Sequence, residues 1–135
     1  MRTTLLAAAV ALGLAGPAPA QGVDTQIRDV IGGQIEALRA DDFAKAFTFA
    51  SPQIQGLFGT AERFGDMVRQ GYPMVWRPSD IRFGGLTERG GASYQSVLIT
   101  DQAGEVHLLE YEMVMTSDGW EINGVRFLRP GAFGA

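Results

Sequence analysis

The chain contains no cysteine, one lysine and one histidine, and it has no run of basic residues. The lack of cysteine excludes disulfide bonds, thiol catalysis and thiolate metal sites. A net charge of −4, with Lys45 as the only lysine, argues against nucleic acid or an anionic membrane surface as a partner. Phosphate-loop, serine-hydrolase, paired-histidine and calcium-loop motifs are missing as well. We therefore expect no cofactor and no metal.

The first twenty residues have the three parts of a secretory signal peptide. Arg2 gives a positive start, LLAAAVALGLA forms a small-apolar run over 5–15, and the Ala-Pro-Ala triplet ending at Ala20 matches a cleavage site. The run is about half the ~20 residues that a spanning helix needs, so no membrane anchor is expected. The sequence predicts cleavage after Ala20 and a periplasmic or secreted product of about 115 residues, with a net charge of about −5 once Arg2 is lost.

Residues 21–128 are expected to form one α+β domain, followed by a loose tail over 129–135. In the first half, apolar residues recur at helical spacing. The predicted helices are one through 27–38 capped by Asp24 or Thr25, one opening at Asp41 and Asp42, a short one from Ser51, and one from Thr60 to Gly71. Residues 72–76 are predicted to be an extended connector, and Gly32-Gly33 indicates close helix packing.

Period-two alternation and short turn signals dominate the second half. The predicted strands are 80–88, 92–100, 105–115 and 120–128. Helices followed by a strand meander predict an α+β fold, with the helices on one face of a curved four-stranded antiparallel sheet. The assignment of side chains to the two faces depends on register, because a slip of one residue exchanges the faces of a strand.

With a turn over 101–104, the aromatic side of the sheet faces the helices. The candidate ligand-pocket residues on that side are Tyr94, His107, Tyr111, Met113, Trp120 and Arg126. The other side then carries an apolar patch with a rim that includes Arg82, Glu110 and Glu112. The patch residues are Val97, Ile99, Val106 and Leu108, and they predict a back-to-back homodimer.

Four stretches resemble a proteobacterial family of small exported proteins known only as a domain of unknown function. They are LRADDFAKAF at 38–47, ASPQI at 50–54, FGDMVRQGYP at 64–73 and DGWEING at 118–124. The element order also resembles the nuclear transport factor 2-like superfold, which implies helices over a bent sheet that encloses a conical pocket. Residues 51–59 are too short for the hairpin that many members insert, so a cystatin-like arrangement stays open. This superfold hosts isomerases, dehydratases, binding modules and assembly factors, and therefore assigns no function.

The favoured function is a non-catalytic exported module that binds a small apolar or amphipathic ligand, or a protein partner. A small isomerase, dehydratase or hydrolase is the first alternative, with His107 as the candidate catalytic residue beside Tyr111 or Arg126. In the structural alternative, His107 is a hydrogen-bonded residue near the sheet edge, and Tyr111 and Arg126 stack on each other. An envelope assembly factor that acts through the outer sheet face is the remaining alternative.

Overall fold

The computed structural model describes residues 22–129, which form helices followed by an antiparallel sheet. The helices are α1 (Val23–Arg39), α2 (Phe43–Thr48), α3 (Pro52–Phe58), α4 (Ala61–Gly71) and α5 (Pro73–Trp76). The strands, paired in chain order, are β1 (Asp80–Arg89), β2 (Ala92–Thr100), β3 (Val106–Thr116) and β4 (Gly119–Phe127). The α+β architecture expected from the sequence is confirmed. The predicted leader over 1–20 and the tail from residue 130 onward lie outside the described residues.

Side-chain oxygens cap the starts of three helices. Asp42, Ser51 and Thr60 each accept a hydrogen bond from the backbone amide three residues later, at the starts of α2, α3 and α4. Pro52 occupies the first position of α3, where no amide donor is needed. No helix within residues 22–129 combines the length and apolar character needed to cross a membrane.

Two expectations about the helical half are wrong, one about the cap of α1 and one about residues 73–76. The residue that caps α1 is Gly22, without a side-chain hydrogen bond, rather than Asp24 or Thr25. Residues 73–76 form the short helix α5 instead of an extended connector, because Pro73 at its first position has a fixed φ that suits a helical turn.

The helices pack closely at two glycines. A Cβ on Gly33 would lie 2.8 Å from the Phe49 ring, and one on Gly65 would lie 2.7 Å from the Phe43 ring. A Cβ on Gly32 would meet nothing within 4 Å. The close packing expected for the Gly32-Gly33 pair therefore applies to Gly33.

The register between β2 and β3 reverses the predicted faces of β2. Thr100 pairs with Val106, so the connecting loop has five residues rather than the four expected. Val97 and Ile99 consequently share a face with Leu109 and are fully buried in the helix-covered core. The assignment of Val97 and Ile99 to an exposed apolar patch is wrong, because the longer loop shifts the alternation by one position.

Bulges set the faces of the edge strands. Between β3 and β4, Glu112 pairs with Gly124 and Met113 with Ile122, which leaves Asn123 as an extra residue. Beyond it, Val125 turns toward the helices and Arg126 points to the opposite side of the sheet, the reverse of the predicted arrangement. In β1, an irregularity at Gly84-Gly85 brings Leu86 opposite Gln95. The buried Gln95 amide donates to both Gly84 O and Gly85 O, which stabilises this bend.

Candidate functional site

A cavity of about 350 Å³ lies between the helices and strands β3 and β4, and we call it the helix-side cavity. Its volume lies at the lower end of the range for small-molecule sites. The lining residues are Gln34, Ala50, Ile54, Leu57, Phe58, Phe64, Met67, Val68, Tyr72, Val75, Tyr111, Ile122, Gly124 and Val125. None of them carries a charge, so the cavity suits an uncharged ligand.

The wall formed by α3 is the least anchored part of the cavity. No residue of α3 is buried, and Leu57, which lines the cavity, is 72% exposed. The Gln55 side chain connects this helix to the rest of the molecule by donating to Phe47 O and Ala50 O. Gly59, with φ at +80°, ends the helix. Leu57 is exposed and lies outside the core, whereas Ile54 and Phe58 of the same helix pack against it.

Three polar side chains line the cavity, and two of them have hydrogen-bond partners. Gln34 Nε2 donates to Ala46 O at 3.2 Å, and the Tyr72 hydroxyl donates to Val125 O at 3.0 Å. The Tyr111 hydroxyl is buried and has no partner among the described residues. Such a group costs about 1–3 kcal/mol when it is left unsatisfied. Burial, with a smaller contribution from Tyr72, raises the pKa of Tyr111, so its hydroxyl stays protonated at neutral pH.

The six candidate pocket residues do not form one site. Tyr111 lines the helix-side cavity, and Met113 and Trp120 lie on the same sheet face without lining it. Tyr94 and Arg126 lie on the opposite face because of the β2 register and the Asn123 bulge. The predicted grouping of His107 with Tyr111 and Arg126 is therefore not assembled.

His107 stabilises a hairpin loop. Its Nε2 lies 2.8 Å from Asp101 Oδ2, while Asp101 Oδ1 accepts from the backbone amides of Ala103 and Glu105. The hydrogen bond from His107 is the largest influence that lowers the pKa of Asp101. Asp101, Glu105 and His107 place ligand-type atoms within 4.8 Å of one another, but both Asp101 oxygens already serve the loop. His107 lines neither the helix-side cavity nor the groove described next.

The other sheet face, which we call the open face, carries a groove of about 340 Å³. Its lining residues are Arg89, Tyr94, Glu110, Glu112, Gly124, Val125 and Arg126, and we call it the open-face groove. Glu110 is only 8% exposed, and one of its oxygens pairs with both Arg89, at 3.2 Å, and Arg126, at 2.6 Å. The Arg89 guanidinium also lies 3.8 Å from the centre of the Tyr94 ring. These contacts join Arg89, Glu110 and Arg126 into one ion cluster within the groove.

A further cluster joins the end of α1 to α5. Asp41, with φ at +57°, accepts hydrogen bonds from Trp76 Nε1 and Arg77, and these two contacts hold its pKa below the usual value. Arg77 also donates to the carbonyls of Leu38 and Arg39 at the end of α1. This cluster is a structural clamp, because its polar groups bind one another.

The four predicted patch residues are divided between the faces. Val97 and Ile99 lie in the core, whereas Val106, at 55% exposure, and Leu108 lie on the open face. Leu98 pairs with Leu108 there, so the apolar part of the open face includes Leu98, Val106 and Leu108. The predicted homodimer remains a prediction with this revised surface.

Sequence reasoning missed most of the cavity wall because that wall is built from helices. The inward positions Phe64, Met67 and Val68 of α4 follow helical spacing, and all three line the cavity. Tyr72 next to Pro73 was assigned to a connector, although its ring stacks on Phe127 with centroids 5.1 Å apart. The amphipathic pattern of α4 was the available signal for this site.

Comparison with known proteins identifies a family but no activity. A family model described as a domain of unknown function (DUF4864) matches residues 20–135. No curated protein matches the chain. A solved structure of an NTF-2 like protein of unknown function from Burkholderia xenovorans LB400 is similar at 14% identity with a TM-score of 0.48, covering 79% of this chain and 86% of that one.

Proposed function

We propose that this chain, which belongs to the DUF4864 family of domains of unknown function, binds a small apolar or amphipathic ligand in the helix-side cavity. The observation that carries the proposal is a cavity of about 350 Å³ whose lining residues are all uncharged. Apolar walls with a few polar groups are typical of small-molecule sites. The proposed role is binding rather than catalysis, since the single histidine lies outside the cavity.

Filling the cavity tests the proposal. Met67 lines the cavity and is half-buried, so Met67→Trp should occupy part of its volume. Met115 is 58% exposed and lies outside the cavity, which makes Met115→Trp a matched control. The probe is N-phenyl-1-naphthylamine, an uncharged dye whose fluorescence rises in apolar surroundings. We expect saturable binding to the wild type and to Met115→Trp, with at least about tenfold weaker binding to Met67→Trp, a difference of about 1.4 kcal/mol.

Two results would contradict this function. The first is a wild-type protein that shows no saturable increase in dye fluorescence. The second is equal loss of binding in Met67→Trp and Met115→Trp, which would place the dye on the surface. Circular dichroism and thermal melting of both variants would establish that each remains folded.

We also propose that the protein is exported and cleaved after Ala20. The support is the leader pattern in the sequence and a family match that begins at residue 20. Intact-mass measurement of protein from a periplasmic fraction should give a chain that starts at Gln21. Recovery of a product that retains Met1 would contradict the proposal.

Self-association through the open face is the remaining proposal. Leu98, Val106 and Leu108 present apolar side chains there, and Arg82 pairs with Leu98 at the margin. Sedimentation over a range of concentrations should show a wild-type dimer and a folded Val106→Glu monomer. A wild type that stays monomeric at high micromolar concentration would contradict it.

A further inference from the structure

The Tyr111 hydroxyl distinguishes the helix-side cavity from a purely hydrophobic void. Tyr111 is fully buried on β3 and lines the cavity, and its hydroxyl has no hydrogen-bond partner among the described residues. Trp120 and Glu121 also hold buried polar atoms without partners among those residues, but neither side chain lines the cavity. A phenylalanine at position 111 would fill almost the same space without an unsatisfied group.

The neighbouring polar groups of the wall are already engaged with the protein. The Tyr72 hydroxyl donates to Val125 O, and Gln34 Nε2 donates to Ala46 O. Tyr72 and Tyr111 both line the helix-side cavity. Among the three polar side chains of the wall, Tyr111 is therefore the one whose buried hydroxyl has no partner among the described residues.

Given the proposed binding function, on which this step rests, we propose that the ligand is neutral and carries a carbonyl-type oxygen that accepts a hydrogen bond from Tyr111. One donor satisfies a ketone, ester or amide oxygen. A carboxylate would be desolvated in a cavity whose lining residues include no cation, at a large energetic cost. The cavity has the volume of about a dozen water molecules at ~30 Å³ each, which suits a compact bicyclic molecule.

Entry of a ligand as far as Tyr111 requires a small movement of the wall, because the hydroxyl exposes less than 1 Å². The α3 wall can supply it, since no residue of α3 is buried. Leu57 lines the cavity from this helix and lies outside the core, so its displacement leaves the core intact, whereas Phe58 packs against the Phe64 ring. Met67 on α4 adds a flexible side chain that adapts to the shape of the ligand.

Three naphthalenes of similar shape test the proposal by displacing N-phenyl-1-naphthylamine. They are 2-acetylnaphthalene, which has a ketone, 2-isopropylnaphthalene, a hydrocarbon, and 2-naphthoate, a carboxylate. For the wild type we expect the ketone to bind at least about fivefold more tightly than the hydrocarbon, and naphthoate to bind most weakly. Tyr111→Phe should remove the preference for the ketone, whereas Tyr94→Phe, on the open face, should retain it.

Thermal melting of the ligand-free proteins supplies an independent readout. Tyr111→Phe should melt at a higher temperature than the wild type, because it removes a buried hydroxyl that has no partner. Tyr94→Phe should not gain stability, since its hydroxyl is not among the buried groups without a partner. A lower melting temperature for Tyr111→Phe would show that the hydroxyl has a partner within the protein, and it would overturn the proposal.

The binding outcomes separate this inference from the proposed function. Equal wild-type affinity for the ketone and the hydrocarbon would overturn the role of Tyr111 while leaving an apolar binding site. Tightest binding of naphthoate would overturn the neutral class of ligand. No binding of the dye or of any naphthalene would overturn the proposed function and this inference together.

Discussion

Two hollows of nearly equal volume lie on opposite sides of the same strands. The helix-side cavity, of about 350 Å³, and the open-face groove, of about 340 Å³, share Gly124 and Val125 as wall residues. The lining of the cavity is uncharged and includes Tyr111, whose buried hydroxyl has no partner among the described residues, whereas the groove holds two arginines and two glutamates. One short stretch of β4 therefore separates an apolar compartment from an ionic one.

The difference between the hollows shows why the cavity is the better candidate for a ligand. In the groove, Glu110 already pairs with both Arg89 and Arg126, and Asn123 donates to Glu112 at 2.8 Å. A ligand there would have to break these contacts before forming its own. In the cavity, the Tyr111 hydroxyl makes no such contact with any residue from 22 to 129.

The largest expected effect comes from placing the same charge on each face. Val97 is fully buried under the helices, and Val106 on the open face is 55% exposed. Val97→Glu should destabilise the protein by about 3–5 kcal/mol or more, because it buries a carboxylate without a partner. Val106→Glu should change the free energy of unfolding of the monomer by about 0.5 kcal/mol or less. Urea denaturation of both variants at low concentration measures these values.

Similar destabilisation by the two valine variants would break the contrast between the faces. It would mean that Val106 is covered in solution or that the β2 register differs from Thr100 opposite Val106. Ile99→Asn, a second substitution in the buried row, should follow Val97→Glu and not Val106→Glu.

The next largest effect on the free energy of unfolding is expected at alkaline pH, through Tyr111 on the helix-covered face of the sheet. The folded-state pKa of Tyr111 lies above the unfolded value of about 10, because burial disfavours the phenolate. The stabilisation from this shift is fully present below pH 10 and is lost as the pH rises further. The contribution should fall by about 1.4 kcal/mol per pH unit above pH 10.

Comparison of variants isolates this contribution from the other groups that titrate at high pH. Tyr111→Phe should lose stability less steeply than the wild type between pH 10 and 11.5. Parallel slopes for the wild type and Tyr111→Phe would show that Tyr111 ionises in the folded protein.

The element order was largely predictable from the sequence, whereas the faces of the strands were not. Caps such as Ser51 and Thr60 and the two-residue alternation are local signals, and they located α3, α4 and all four strands to within about two residues. The face of β2 depends on whether the next loop has four or five residues. The five-residue loop is stabilised by hydrogen bonds that Asp101 accepts from the backbone amides of Ala103 and Glu105, which composition does not reveal.

The candidate site was predicted less well for a related reason. The cavity combines Tyr111 from the sheet with side chains of α1, α3 and α4, and only their packing brings them together. The extra residue Asn123 then moves Arg126 out of the predicted pocket and brings in Val125. Amphipathic spacing identifies an inward face, but it does not indicate where packing leaves a space.

A smaller effect is expected from the ion cluster on the open face. Glu110→Gln keeps the shape of the side chain but leaves Arg89 and Arg126 without their shared carboxylate. Since both arginines are substantially exposed, the destabilisation should be about 1 kcal/mol and should shrink in high salt. Glu88→Gln, at an exposed position of β1, is the control. A loss that does not change with salt would indicate that the cluster acts through packing instead of charge.

The smallest effect should come from Asp101, which lies in the loop between β2 and β3. The length of this loop sets the register of the two strands and therefore the face on which each β2 side chain lies. The hydrogen bond from His107 lowers the folded-state pKa of Asp101 below its unfolded value of about 3.9. Its stabilising contribution is therefore present above about pH 4 and is lost as the pH falls through the folded-state value. Asp101→Asn should be slightly less stable than the wild type at pH 6, and the difference should narrow at pH 3. A difference for Asp101→Asn that is constant with pH would show that its carboxylate charge does not stabilise the loop.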